Sequence, residues 1–322
     1  MSRLAGLAAV ALFAGFLFAQ QPTIRTTVPL VTVPVSVTDS HARSIYGLEA
    51  SDFVLLDDGK PRPVRVDVVD YGLAPVALVT AVQTSGMSLS ALAKIRKVGS
   101  MITGAVVGAN GEGAVLTFGD EVKLAQDFTA DPDLVEKAFR ALKPEDTTKG
   151  RMLDAVNQAL KMLAQRPGPR RAGILIIGES KDRGSKAKLS DLIPEIQRAG
   201  VTIYSLTYSA YLTPFTTRPE DYQPTGGVLP VIEFARLFKQ NTAEALTAET
   251  GGTRLKFETK SKLENDLIRL GTDIHSRYLL SFTPDLSEAA GFHRLQVRVK
   301  SRPDAVIRAR PGYWTMPSKP ES

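Results

Sequence analysis

The stretch Val76-Ala77-Leu78-Val79-Thr80-Ala81-Val82-Gln83-Thr84-Ser85-Gly86-Met87-Ser88 sets the reading of the whole chain. It begins as a short apolar run and passes into a polar loop. A segment at 89–102 follows, whose apolar residues fall at spacings of three and four. The run has the length and punctuation of a strand buried on both faces, and the later spacing is that of an amphipathic helix. Outward from this stretch the alternation continues. Strands are expected at 113–118, 122–125, 172–177, 201–206 and 255–257, and helices at 133–142, 152–163, 189–198, 234–247 and 263–274. Buried strands alternating with helices imply a doubly wound, mostly parallel α/β sheet.

Both ends of the chain change to period two. Residues 30–38 alternate apolar with small polar side chains, and Pro34 among them suggests an edge strand. Residues 52–56 and 64–69 read as two strands around Asp57-Asp58-Gly59-Lys60, a turn in which Asp-Gly tolerates positive φ. Asp57 and Asp58 are therefore turn residues; the spaced acids and distal Glu of a calcium loop are missing. Period two returns at 277–282, 293–300 and 305–310. The expectation is one small antiparallel β module built from both termini, with the α/β domain inserted into it. The divisions are 1–19 as a signal peptide, 20–72 as N-terminal strands, 75–275 as the α/β domain, 276–315 as C-terminal strands and 316–322 as a tail.

Composition narrows the function. The chain has 322 residues, 43% apolar, with 25 Gly and 20 Pro, which is ordinary globular usage. There is no cysteine, so disulfides, thiolate metal sites and cysteine nucleophiles are excluded together. Arg3 followed by an apolar stretch to Phe18, with small Ala19 before Gln20-Gln21-Pro22, is the pattern of a cleaved secretory signal. It implies a periplasmic or extracellular protein with no membrane span after cleavage. The net charge of +6 comes from 40 basic and 34 acidic side chains that are interleaved, and export argues against nucleic acid as a partner.

Motifs of catalysis are missing or misplaced. Ser185-Lys186-Ala187-Lys188 lies in a charged loop, no Gly-x-Ser-x-Gly elbow exists, and His41, His275 and His293 show no metal spacing. Gly104, Gly108, Gly111 and Gly113 lack the strand and Lys-Ser/Thr of a phosphate loop and are expected in a turn. The segment after 206 carries Tyr208, Tyr211, Phe215 and Tyr222 among prolines. These aromatics would suit a protein-binding surface, and would equally suit packing of the segment onto its own domain.

Several passages recur in a fixed order: Val31 to Asp39, Gly47-Leu48, Asp52-Phe53, Asp57-Asp58-Gly59, Gln126-Asp127-Phe128-Thr129, Ala248-Glu249-Thr250-Gly251-Gly252, Tyr278 to Pro284, and Arg308-Ala309-Arg310-Pro311-Gly312-Tyr313. With them the chain resembles the VWFA-related (von Willebrand factor A-like) Acidobacterial domain family over nearly the whole mature sequence. The resemblance implies an exported protein with a Rossmann-like A domain and no defined enzymatic reaction. It also implies where a metal-ion-dependent adhesion site would lie, and that this site is degenerate. Of the first loop, Asp-x-Ser-x-Ser, Gln83 replaces the Asp, Ser85 is kept and Met87 replaces the second Ser. The Thr of the second loop falls at Gly150, with Thr147 and Thr148 out of register. The third loop, Ser-Asp-Gly, reads Gly178-Glu179-Ser180. Magnesium takes hard oxygens in near-octahedral geometry, so no metal and no other cofactor is expected.

Around those positions lie Lys149, Arg151, Lys181 and Arg183, with Lys186 and Lys188 beyond. Such a rim would attract a carboxylate of an acidic protein ligand without an ion; a solvated charged loop is the other reading. The function expected is an exported, non-enzymatic protein-binding or adhesion-type module. A hydrolase-like enzyme using the strand-end crevice and a purely structural envelope scaffold are the alternatives.

Overall fold

The computed structural model describes residues 30–67, 75–166, 171–208, 241–285 and 290–315. Four strands come first: β1 (Val31–Thr38), β2 (Phe53–Asp57), β3 (Lys60–Arg62) and β4 (Arg65–Asp67). The α/β region then supplies β5 (Val76–Gln83), β6 (Glu112–Phe118), β7 (Val122–Thr129), β8 (Arg171–Gly178), β9 (Thr202–Tyr208) and β10 (Arg254–Phe257). These form one six-stranded sheet in the order β10-β9-β8-β5-β6-β7, parallel throughout except for the antiparallel edge pair β6–β7.

β5 is central and all eight of its residues are buried. Its side chains divide by period two: Leu78 and Val82 enter one core, Val79 and Ala81 the other. The first face is covered by α1 (Leu89–Ile95), a short turn α2 (Gly99–Met101) running into a π-helix at Ile102–Val107, α3 (Pro132–Arg140) and α7 (Lys260–His275). The second is covered by α4 (Met152–Ala164), α5 (Leu189–Ala199) and α6 (Thr242–Thr250). Helices on both faces make the sheet doubly wound, as the alternation predicts. No helix among the described residues is long and apolar enough to cross a membrane.

The single helix expected at 89–102 is broken. A Cβ on Gly99 would lie 2.9 Å from the Glu136 Cα, so the missing side chain lets α3 press against this point. The helix axis restarts there, and Gly104, expected in a turn, lies inside the π-helical stretch. The helix expected at 234–247 is described only from Asn241, whose side chain caps α6 by accepting from Glu244 N; 234–240 lie outside the described residues.

After α7 the chain returns to β11 (Tyr278–Phe282), β12 (Phe292–Val299), β13 (Val306–Arg308) and β14 (Gly312–Trp314). Strands from before and after the α/β region pair antiparallel: β1 with β11 and β13, β2 with β12, and β4 with β11. They form two four-stranded sheets, β13-β1-β11-β4 and β14-β12-β2-β3, that share a core containing Val33, Val35, Leu55, Leu280, Phe282 and Leu295. The β module is thus a small sandwich. Its hairpin turn has Asp58 at φ 47° and Gly59 at φ 82°, but the returning strand is β3, not 64–69. Pro63 cannot donate to a ladder, and beyond it β4 crosses to the other sheet.

β1 is an inner strand, contrary to the edge reading. Its first half pairs only with β11 and its last three residues pair with β13, so Pro34 sits where the second side is open. Ser36 and Thr38, the small polar positions of its alternation, are buried along with the apolar ones. Their face meets the α/β region at a closed ionic knot. Asp273, in α7, accepts from Ser36 Oγ at 2.6 Å, Arg277 Nη2 at 2.7 Å, Arg308 Nη2 at 3.0 Å and Thr253 Oγ1 at 3.1 Å. Burial by itself would raise the Asp273 carboxyl, but the Arg277 and Arg308 guanidiniums hold it well below the usual carboxylate range.

Candidate ligand-binding crevice

Ligands of open α/β sheets bind beyond the carboxyl ends of the strands, and the loops after β5, β6 and β8 meet there with the loop between α3 and α4. Gln83 ends β5 with its side chain buried and clamped. Its Nε2 donates to Ser85 O at 2.8 Å and to Glu179 Oε2 at 3.3 Å, and its Oε1 accepts from Glu179 N at 2.9 Å. Two glycines make the space: a Cβ would lie 2.7 Å from Gln83 Oε1 if placed on Gly178, and 3.1 Å from Gln83 Nε2 if placed on Gly150. The structure therefore brings Gln83, Ser85, Gly150 and Glu179 together. Met87 does not join them: it packs into the apolar core beside Leu92, and Ser88 next to it caps α1 by accepting from Ala91 N at 3.2 Å.

The loops after β5 and β8 are stapled to the α3–α4 loop. Ser85 Oγ donates to the Lys149 carbonyl, and Gly150 and Arg183 exchange two backbone hydrogen bonds of 2.9 Å. Arg151, at the N-cap of α4, gives no side-chain cap. The orphan N–H groups of Leu153 and Asp154 instead donate to Asp182 Oδ1 at 3.0 Å and Ser185 Oγ at 3.1 Å from the loop after β8. Asp154 returns the contact by accepting from Lys186 N at 3.0 Å and Ala187 N at 2.8 Å.

In the fold the charges of the basic rim lie close to acids. Lys149 Nζ lies 2.6 Å from Asp120 Oδ1, Arg151 lies 3.7 Å from Asp120 and 3.9 Å from Asp154, and Arg183 pairs with Glu179. The hydrogen bond from Lys149, with its charge, holds the Asp120 carboxyl below its ordinary value. Lys181 remains exposed. Asp120 and Glu145, absent from the sequence reading, supply counter-charge; Glu145 reaches the crevice by a backbone bond from its N–H to Thr84 O at 2.9 Å and pairs with Lys123 at 3.3 Å. Asp120 lies two residues beyond the end of β6, and its place at a parallel strand's carboxyl end is the signal that could have found it. Tyr211 and Phe215 lie outside the described residues.

The donor set does not suit magnesium. Among the motif positions the one carboxylate is Glu179, and an amide N–H and a guanidinium already face it, while Glu145 beside Ser85 is engaged by Lys123 and the Asp120 N–H. The Ser85 hydroxyl proton is committed to Lys149, and Met87 offers no oxygen. A hard divalent ion needs about six oxygens and would meet N–H donors instead.

Elsewhere, Asp57, Asp58 and His293 come close enough to share an ion, although the histidines look scattered in sequence. Each is engaged in holding the sandwich shut. Asp57 accepts from Arg62 Nε at 3.2 Å and Tyr313 OH at 3.1 Å, and His293 bridges Asp58 Oδ2 at 2.8 Å and Thr315 Oγ1 at 2.9 Å. An open hollow of about 450 Å³ lies at the junction of the two regions, between Tyr46, Ile268, His275 and Ser276.

No protein-family model matches the chain, and no curated protein matches its sequence. Solved structures to which it is similar include a von Willebrand factor type A protein from Catenulispora acidiphila, 13% identical, covering 78% of this chain and 51% of that one at TM-score 0.45. Others are an aerotolerance-related membrane protein from Bacteroides fragilis (13% identity, 62% and 98% covered, TM-score 0.43) and BatB from Bacteroides thetaiotaomicron (12%, 62% and 98%, 0.42). The chain spans about half the length of the Catenulispora protein. At these identities the likeness concerns the fold alone.

Proposed function

We propose that the chain is an exported, non-enzymatic protein-binding module that takes its partner at the crevice beyond β5, β6 and β8 and needs no metal ion to do so. The observation that carries this reading is the polar lattice of Gln83, Glu179 and Arg183 at the strand ends. It is rigidly held, part-exposed, and complete without an ion. No histidine among the described residues reaches it and Ser85 is spent on a carbonyl, so it lacks a nucleophile with a base. That chemistry favours recognition over turnover.

The test is capture from the native envelope fraction by the full chain, by Glu179→Arg, and by Asp127→Arg on the exposed edge strand β7 as control. Loss of a captured partner with Glu179→Arg alone supports the reading. Equal capture by all three would favour a structural scaffold. Turnover in a broad hydrolase screen, lost with Glu179→Arg, would favour the enzyme.

A further inference from the structure

We infer that Arg183 is a tethered cation: its guanidinium occupies the centre of the crevice that a divalent ion would otherwise fill, and it presents a fixed fork of donors to a carboxylate of the partner. The inference rests on the crevice being the binding face. It goes further by assigning the recognition to one side chain instead of a diffuse basic rim.

Three observations converge on it. The first is position. A Cβ built on Gly86 would lie 3.4 Å from Arg183 Nη2, 3.8 Å from Gln83 Nε2 and 3.8 Å from Glu179 Oε1, so all three groups meet over one point of the first loop. Gly86 has φ +63°, which favours glycine, and its bare backbone leaves the guanidinium room to lie there. The second is preorganisation. Arg183 does not hang from a free loop; its backbone is locked to Gly150 by two hydrogen bonds of 2.9 Å, and its side chain is held by Glu179. The third is the account of neighbouring charge. Lys149 and Arg151 are turned toward Asp120, whereas Arg183 is turned toward Glu179 over Gly86.

The Arg183 side chain is 44% exposed, so Glu179 engages part of it while the rest meets solvent. A guanidinium has five donors in a planar fork and binds carboxylates by two parallel hydrogen bonds. An ion in the same place would accept the same carboxylate, but only while bound. Arg183 makes that function permanent and independent of divalent ions. Lysine would keep the charge and lose the fork.

The experiment needs no partner in its first arm. Manganese alone is added to the full chain and to Arg183→Ser, Gln83→Asp/Arg183→Ser and Arg183→Ser/Glu179→Ala, and paramagnetic broadening of the Gly86 and Glu179 amide resonances is read. Broadening is expected in the first two variants, weaker in Arg183→Ser, where Glu179 is the carboxylate freed and water must complete the shell, and not in the native chain or the Glu179→Ala combination. Arg183 is exposed, so its single replacement keeps the test alive if the buried Gln83 change fails to fold. Native amides that broaden as strongly as those of Arg183→Ser, or broadening in neither, would overturn the inference. In the second arm N-acetyl-aspartate is titrated against the native chain and Arg183→Lys while the Arg183 Nε resonance and neighbouring amides are followed. A saturable response at least tenfold weaker in Arg183→Lys is expected; equal responses, or none in the native chain, would overturn it. Failure of envelope capture with both arms positive would sink the choice of a protein partner and leave Arg183 in its role.

Discussion

The crevice and the junction of the two regions use the same parts to opposite ends. Each centres on a carboxylate four residues from an arginine, Glu179 with Arg183 and Asp273 with Arg277. At the crevice the two side chains are 32% and 44% exposed; at the junction they are 9% and 4%. Burial decides what such a pair does. An exposed pair is worth about 0–1 kcal/mol, because water and salt screen it, and both partners stay free to change company. A buried pair cannot lose one member without stranding the other, which costs about 3–5 kcal/mol. The junction is therefore a fastening and the crevice a face.

The largest effect should come from Asp273→Ala, which leaves Arg277 and Arg308 facing each other without their acid. Urea unfolding should report a loss of about 3–5 kcal/mol. A loss under about 1 kcal/mol, like that of an exposed pair, would erase the distinction drawn here. The pH dependence has the sign of a depressed carboxylate. The stabilisation is present above the unfolded value near pH 3.9 and disappears as pH falls toward the lower folded value, so Asp273→Asn should flatten the acid limb of the stability curve.

Next, Gly178→Ala should push the Gln83 amide off its clamp, since the added Cβ would lie 2.7 Å from it. Overpacking of this kind costs about 1–3 kcal/mol, and a thermal midpoint unchanged from the native chain would show the crevice to be softer than its hydrogen bonds suggest.

Smaller is the effect of Glu249→Gln. Burial lifts the Glu249 carboxyl to about 7, against a lowering hydrogen bond from Gln197, whose own carbonyl accepts from Arg310 of the sandwich. A raised carboxylate stabilises below its unfolded value near pH 4.3 and loses that contribution as pH climbs through about 7. Glu249→Gln should remove this fall and be more stable than the native chain at pH 8, by on the order of 1 kcal/mol in chemical unfolding. An identical pH profile for both proteins would place Glu249 in freer contact with water.

The least effect on folding belongs to Glu179→Gln, expected within about 1 kcal/mol of the native chain by urea unfolding. A cost of 3 kcal/mol or more would make the crevice a second fastening.

What the sequence discloses about these two places differs for a physical reason. β5 is legible because eight consecutive residues are buried and the loop after it is polar, and strand-end geometry then gathers Gln83, Ser85 and Glu179. The break after Ile95 is not legible, because it answers to the approach of α3 at Gly99. The burial of Ser36 is hidden since nothing near it in sequence announces Asp273, 237 residues away. The partners of the basic rim are hidden similarly. Counting along the chain groups Lys149 with Arg151, whereas Asp120, 29 residues from Lys149, faces it only once the sheet is ordered. Met87 looks like a lost ligand in a motif, but in three dimensions it is a core residue.

The pairing of β1 with β11 also has a consequence in time. Val35 lies opposite Tyr278, and closing a loop of that length from an open chain costs about 5 kcal/mol in entropy. β1 and β2 are translated long before β11 and β12, the strands that complete their ladders. Once the α/β region has formed, α7 delivers β11 beside β1 and the long closure is already made. Folding should therefore be ordered, with the inserted region first and the sandwich last. Until then the early strands are open edges, the point at which a folding chain of this design is most exposed to aggregation.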